Sequence, residues 1–193
     1  MIDIFKKFES IKTLHNSIVE QAGTDPLGVP IEETYSGTQA KIRGRDCVLM
    51  GSNNYLGLTF DQEAIEKACE ALQEQGTGTT GSRAANGNYI AHGNLEALIA
   101  KFYSRDKAIL FTTGYQANVG FLSAIAGKDD YILIDSESHA SIYDGCKLSS
   151  ANTLLFRHND PQDLEKRLKR LPEDVCKLVI TEGISPCAAT GRR

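Results

Sequence analysis

Apolar runs of strand length alternate with helix-period segments through the second half of the chain. KAILFT, DYILID, NTLLFRHN and CKLVITEG read as strands, and YQANVGFLSAIAG, SIYDGCKLS and DPQDLEKRLKRLP as helices. The last helix has Asp160 as its N-cap and Pro161 at its first position, where the missing N–H is no loss. Strands this apolar, separated by helices, predict a mostly parallel sheet covered on both faces. The first half is patterned differently. Ile4, Phe5, Phe8, Ile11, Leu14 and Ile18 recur at helical spacing and predict an amphipathic helix over residues 1–22. GTDPLGVPIEE is a linker rich in Gly and Pro. AKIRGRDCVLMGS reads as two short strands around Gly44-Arg45-Asp46, a hairpin. NNYLGLTF is a loop. DQEAIEKACEALQEQ is a helix with an Asp61 N-cap and a Gly76 stop, and NLEALIAKFY a helix capped by Asn94.

Composition narrows the class. The chain has 193 residues, 41% hydrophobic and 24% charged, which is globular. A net charge of −4 gives no reason to expect nucleic acid, which calls for a basic patch. No apolar run is long enough to span a bilayer, and the amphipathic start lacks a signal-peptide core. Cys47, Cys69, Cys146, Cys176 and Cys187 are scattered and never in CxxC spacing. They predict a reducing cytoplasm, no disulfide framework and no metal site.

Candidate chemistry gathers where strands end. Gly114 and Tyr115 follow one strand and open a helix. Free amides and the positive end of a helix dipole there suit a phosphate, though an ordinary βα turn would look the same. GxxxxGK[ST] is absent, and the GxGxxG spelled by Gly76, Gly78 and Gly81 follows a predicted helix rather than a strand, so no dinucleotide fingerprint is supported. His139 follows DYILID and sits where a histidine can stack on a flat ring or move a proton. A plain surface-loop histidine is the alternative. His15, His92 and His158 read as structural, and Asp135 and Glu137 as either site groups or solvated ones. GTGTTGSRAANG is too glycine-rich for a passive connection. It is either a mobile loop or a backbone that must pass close to a ligand or another subunit, with Arg83 available to grip a carboxylate or phosphate. Asn53, Asn54 and Tyr55 offer polar groups beside a tight turn, or simply form it.

Together, NNYLGL, GTGTTGSR with its following ANG, FTTGYQANVG and DSESHASIYDG resemble, in order and spacing, the α-oxoamine synthase family. The resemblance runs from about residue 25 to residue 183. It implies the N-terminal half of a pyridoxal-phosphate-dependent transferase of fold type I: an α/β fold with a mostly parallel sheet flanked by helices, preceded by a helix and a small hairpin. It divides the chain into residues 1–60, the helix, linker and hairpin; 61–183, the first part of the cofactor-binding domain; and a tail, 184–193. The family condenses an amino acid with an acyl-CoA and loses CO2. DPLGV, GTTGSR, SHASIYDGC and FRHND resemble most the bacterial branch that joins L-serine to a long-chain acyl-CoA and gives 3-ketosphinganine. Branches making 8-amino-7-oxononanoate or 2-amino-3-ketobutyrate remain alternatives, as does a non-catalytic fragment.

The resemblance assigns roles by position. Gly114 and Tyr115 match residues whose amides hold the phosphate of pyridoxal 5'-phosphate. His139 matches the catalytic histidine that stacks on the cofactor ring and hydrogen-bonds the substrate carboxylate. Asn54 matches a residue lining the substrate site, either within a subunit or across the interface of a homodimer. A long acyl-CoA substrate fits a cytoplasmic enzyme with peripheral membrane contact. The sequence also departs from the family. No lysine stands in the family's lysine motif; Lys147 and Lys177 lie near the right motifs without that role. The lysine, the aspartate that faces the pyridine nitrogen and a nearby histidine are expected beyond residue 193. After KLVITEG the family has an aromatic residue, then Ser-Met, Gly-Asp and Ala-Pro-Leu, whereas this chain reads ISPCAATGRR. One choice of codons for that tail, with a single A restored, translates as Ile-Tyr-Ser-Met-Arg-Gly-Asp-Arg-Ala-Pro. A one-base deletion near Ile184 is therefore expected, with an unrelated tail as the alternative.

Overall fold

A computed structural model describes residues 3–25 and 27–183. The tail expected from residue 184, with Cys187, lies outside the described residues. Contacts group the chain into two compact units that part between Thr80 and Gly81.

In the first unit, a 3-10 turn at Ile4–Phe8 leads into α1 (Glu9–Ala22). The apolar stripe is helical as expected, yet none of α1 is buried. His15 Nε2 lies 3.2 Å from the Asp25 carboxylate, a structural role as read. A three-stranded antiparallel sheet follows in the order β1 (Glu33–Thr34), β2 (Gln39–Ile42), β3 (Arg45–Val48). Ile42 pairs with Arg45, so the hairpin turns on Arg43-Gly44 rather than on the triplet read from sequence. Both turn residues have positive φ, 52° and 70°, the twist a two-residue hairpin needs. α2 (Gln62–Gln75) begins as expected: the Asp61 carboxylate accepts from the Ala64 amide, and Gly76 ends it at φ 81°.

The second unit opens on the glycine-rich loop, where Gly81 and Gly87 have a local cause. A Cβ on Gly87 would lie 1.8 Å from the Gly81 carbonyl oxygen, and one on Gly81 the same distance from Asn86 Oδ1. The close approach is of the loop to itself. Arg83 is not a free fork. It donates to Asn88 Oδ1, to Glu96 Oε1 and to the Leu110 carbonyl, while Glu96 also accepts from the Leu110 amide. α3 (Ile90–Phe102) starts earlier than Asn94. The His92 ring replaces the expected asparagine cap, its Nδ1 accepting from the Tyr89 amide at 2.9 Å.

KAILFT is not a strand here. A strand is a pairing property, and this segment has no ladder partner among the described residues. After α4 (Gly114–Ile125) come β4 (Tyr131–Asp135), α5 (Ala140–Leu148), β5 (Asn152–Phe156), α6 (Pro161–Leu168) and β6 (Lys177–Ile180). The three strands form a parallel sheet in the order β5-β4-β6. β4 is central, and Ile132 to Asp135 are wholly buried, which requires cover on both faces. Its alternation sends Ile132 and Ile134 into a core with Leu122 and Ala126 of the α4 end and Ile142 and Cys146 of α5. Helices α4 and α5 meet closely at Gly145, where any Cβ would stand 3.0 Å from Leu122. Burial holds the Cys146 thiol above its ordinary range, so it remains a protonated core group.

α6 begins as read, with the Asp160 carboxylate accepting from the Asp163 amide and Pro161 at the first position. Asp163 then ties the helix back to β5. It accepts from the Arg157 amide and from Arg167 Nε, both at 2.9 Å. Those bonds hold its carboxyl below the ordinary 3.8, the Arg157 amide contributing most. A depressed folded-state pKa adds stability that is present above the ordinary value and lost as pH falls through the folded one. Asp163→Asn is therefore expected to lower the melting temperature at neutral pH, with the gap closing progressively below about pH 3.8. Thermal melts of both proteins across that range check this; a gap independent of pH would contradict it.

Candidate active site

The first candidate group is the N-terminus of α4. Thr113 is the N-cap, and its hydroxyl accepts from the Gln116 amide at 3.1 Å. The amides of Gly114 and Tyr115 have no acceptor among the described residues, and both residues are exposed. Open space surrounds Gly114, with nothing within 4 Å of the place a Cβ would take. Two unsatisfied amides on the positive end of a three-turn helix suit a phosphate. The Tyr115 side chain turns away from this task and donates from its hydroxyl to Asp144 on α5. That bond raises the phenol above its ordinary range and lowers the Asp144 carboxyl, to which Lys147 adds.

The second group follows β4. The chain leaves the sheet at Asp135, and His139 becomes the N-cap of α5, its Nδ1 accepting from the Ser141 amide at 3.1 Å. Ser141 Oγ lies 2.7 Å from the same nitrogen, and Asn118 Nδ2 of α4 donates to that hydroxyl at 2.9 Å. The backbone amide of His139 donates to Glu182 Oε2 at 2.7 Å, just after β6. His139 is itself exposed, and Nε2 has no hydrogen-bond partner among the described residues. Beside it the buried Ser138 hydroxyl is also unpartnered among them. An exposed flat ring with one free nitrogen, near an orphaned hydroxyl, and two orphaned amides across the α4–α5 pair fit a phosphorylated aromatic cofactor. Histidine at the C-terminal end of a parallel strand is where such sheets keep their ligands.

Sequence reading missed what holds this loop. Asp135 is fully buried, not solvated. It accepts from His158 Nδ1 at 2.8 Å, from the Glu137 amide at 2.9 Å and from the Asn159 amide at 3.1 Å. His158 is structural, as read, and its Nε2 lies 3.6 Å from Glu137. His158 and Asn159 lie 23 and 24 residues away from Asp135, just past the end of β5, so no local pattern could have paired them with it.

Asn54 belongs to the first unit. Its amide donates to Thr59 Oγ1 at 2.8 Å and to the Gly37 carbonyl at 3.4 Å, closing the NNYLGLT loop onto the chain before β2. Gly37 is required there, since a Cβ would lie 2.7 Å from Asn54 Nδ2. Gly114, Tyr115 and His139 are brought together by α4 and α5; Asn54 is not part of that unit.

A family model described as aminotransferase class I and II matches residues 45–191. The chain belongs to this family. Within it, the chain is 48% identical to a serine palmitoyltransferase of Caulobacter vibrioides, over 94% of this chain and 45% of the relative. It is 43% identical to the 8-amino-7-oxononanoate synthase 2 of Bacillus subtilis, over 81% of this chain and 39% of the relative. A serine palmitoyltransferase from S. paucimobilis, solved with a bound PLP–myriocin aldimine, superposes with a TM-score of 0.95 at 42% identity. That match covers 99% of this chain and 48% of the solved one. The chain thus spans about half the length of the curated relatives it matches. As the resemblance implied, its fold is the N-terminal portion of the pyridoxal-phosphate-dependent type I fold in this aminotransferase family.

Proposed function

We propose that the chain provides the phosphate-holding and ring-facing part of an enzyme that condenses L-serine with a long-chain acyl-CoA. The products are 3-ketosphinganine, CoA and CO2. The observation that carries this reading is the exposed His139 ring at the end of β4, linked through α5 and α4 to the orphaned amides of Gly114 and Tyr115. The 48% identity to a serine palmitoyltransferase supports the substrate pair.

In this reading the Gly114 and Tyr115 amides hold the cofactor phosphate, and His139 lies against the pyridine ring. Pyridoxal phosphate, when bound, supplies an electron sink for the carbanion at the amino-acid Cα. The chain's own part is orientation. Nε2 of His139 donates to the substrate carboxylate and sets the bond to be broken perpendicular to the ring. Asn54 lines the amino-acid site. The serine Cα gives up its proton, a carbon–carbon bond forms between it and the acyl carbonyl, the thioester C–S bond breaks to release CoA, the carboxylate leaves as CO2, and Cα takes up a proton in its place. The working enzyme is a homodimer in the cytoplasm, with peripheral membrane contact for its acyl substrate; among the described residues no helix is long and apolar enough to cross a membrane.

A panel of amino acids and acyl-CoAs tests this on the complete enzyme, reading free thiol released per CO2. L-serine with a sixteen-carbon acyl-CoA, of the order the palmitoyl name of the relatives implies, should exceed alanine or glycine at least about tenfold. Preference for alanine with a carboxylated short acyl-CoA would instead favour the 8-amino-7-oxononanoate reading, which the 43% identity to the Bacillus subtilis protein keeps in view.

A further inference from the structure

The contacts around His139 are directional. Its Nδ1 receives two neighbours: the Ser141 amide at 3.1 Å, which can only donate, and Ser141 Oγ at 2.7 Å. An amide donor requires a lone pair on Nδ1, so the ring proton cannot sit there. The hydroxyl must then also donate to Nδ1. On its acceptor side the oxygen meets Asn118 Nδ2, a donor at 2.9 Å, so its O–H is not used there and points to Nδ1. Ser141 is fully buried, so no solvent competes for the hydroxyl. We infer that Asn118 and Ser141 are positioning residues, forming a one-way relay that fixes His139 as its Nε2–H tautomer and so makes its free edge a hydrogen-bond donor.

The relay is built across two helices, Asn118 on α4 and Ser141 on α5, so the tautomer is set by helix packing rather than by the loop alone. A donor at Nε2 selects acceptors: a carboxylate or carbonyl oxygen is bound, and an ammonium group is not. That consequence rests on the functional reading above, but the tautomer does not.

The test is long-range 1H–15N correlation on the chain labelled with 15N-histidine, the His139 signals being assigned by their loss in His139→Gln. It needs neither cofactor nor substrate, so failure of the proposed reaction would leave the result intact. In the unsubstituted protein Nδ1 should resonate as an unprotonated nitrogen and Nε2 as a protonated one. In Ser141→Ala, Nδ1 should move further from the protonated range, because an accepted hydrogen bond draws it the other way. Asn118→Ala should shift Nδ1 in the same sense by less. Protonated Nδ1 in the unsubstituted protein overturns the inference, as does an Nδ1 frequency unchanged in a folded Ser141→Ala. Where that variant does not fold, the unsubstituted and Asn118→Ala spectra decide: an unprotonated Nδ1 that Asn118→Ala shifts supports it, and one that it leaves unmoved refutes it. A merely packing role for Ser141 would not move a nitrogen resonance this way.

Discussion

Replacing Asp135 with alanine is expected to lower the unfolding free energy by about 3–5 kcal/mol, the scale for removing one member of a buried, hydrogen-bonded group. The side chain is wholly buried at the end of the central strand. The donors that converge on it include His158 Nδ1, the Glu137 amide and the Asn159 amide. Two of these are backbone amides, which cannot rotate away to water. Alanine takes away the acceptor they share, and each buried donor left unsatisfied costs about 1–3 kcal/mol. Asparagine keeps the shape but not the chemistry. One of its two ends is an NH2, which meets an N–H that the carboxylate had accepted, so Asp135→Asn should recover only part of the loss. Urea titrations of the three proteins measure this directly. A change below about 1 kcal/mol for Asp135→Ala would mean that the buried carboxylate contributes no more than an average surface group.

That node also marks the limit of what the sequence discloses. Short-range chemistry is legible. Asp160-Pro161 starts α6 and Asp61 starts α2 as read, because a cap and its amide lie within one helical turn. The buried run at Ile132–Ile134 is legible because burial on both faces leaves no polar position. What escapes reading is partnership across the fold. KAILFT has strand composition, but a strand also needs a neighbour to bond. Arg83 looks like a waiting anion grip until Glu96 and the Leu110 carbonyl take its donors. The glycines of its loop suggested a ligand, yet Gly81 and Gly87 are small because they touch each other. The site residues themselves were located by resemblance to a family. Position alone does not separate the Gly114 turn from an ordinary βα turn, and the free amides at the start of α4 are what either would show.

His139→Ala should reduce kcat/KM of the complete enzyme by about a hundredfold or more, the usual scale for losing a positioned acid–base or orienting group. The residue combines three jobs that single substitutions can separate. Its ring offers a flat face, its Nε2 a donor, and its Nδ1 caps α5. His139→Phe keeps the face and loses the other two; His139→Gln keeps an amide able to cap or donate and loses the face. Cap loss costs about 0.5–2 kcal/mol of stability, so thermal melts of each variant set the baseline. If the ring holds the cofactor by stacking, Phe should bind pyridoxal phosphate within about threefold of the original and Gln more weakly, an effect on the scale of one stacking contact. If Nε2–H orients the substrate carboxylate, Phe should nevertheless turn over as poorly as Ala. Absorbance titration with pyridoxal phosphate reads the first quantity, and CoA release the second. A phenylalanine variant with near-normal turnover would remove the donor from the mechanism and leave His139 as a platform only. Equal cofactor affinity in Phe, Gln and Ala would remove the platform, and the Gly114 and Tyr115 amides would then carry cofactor binding without help from the ring.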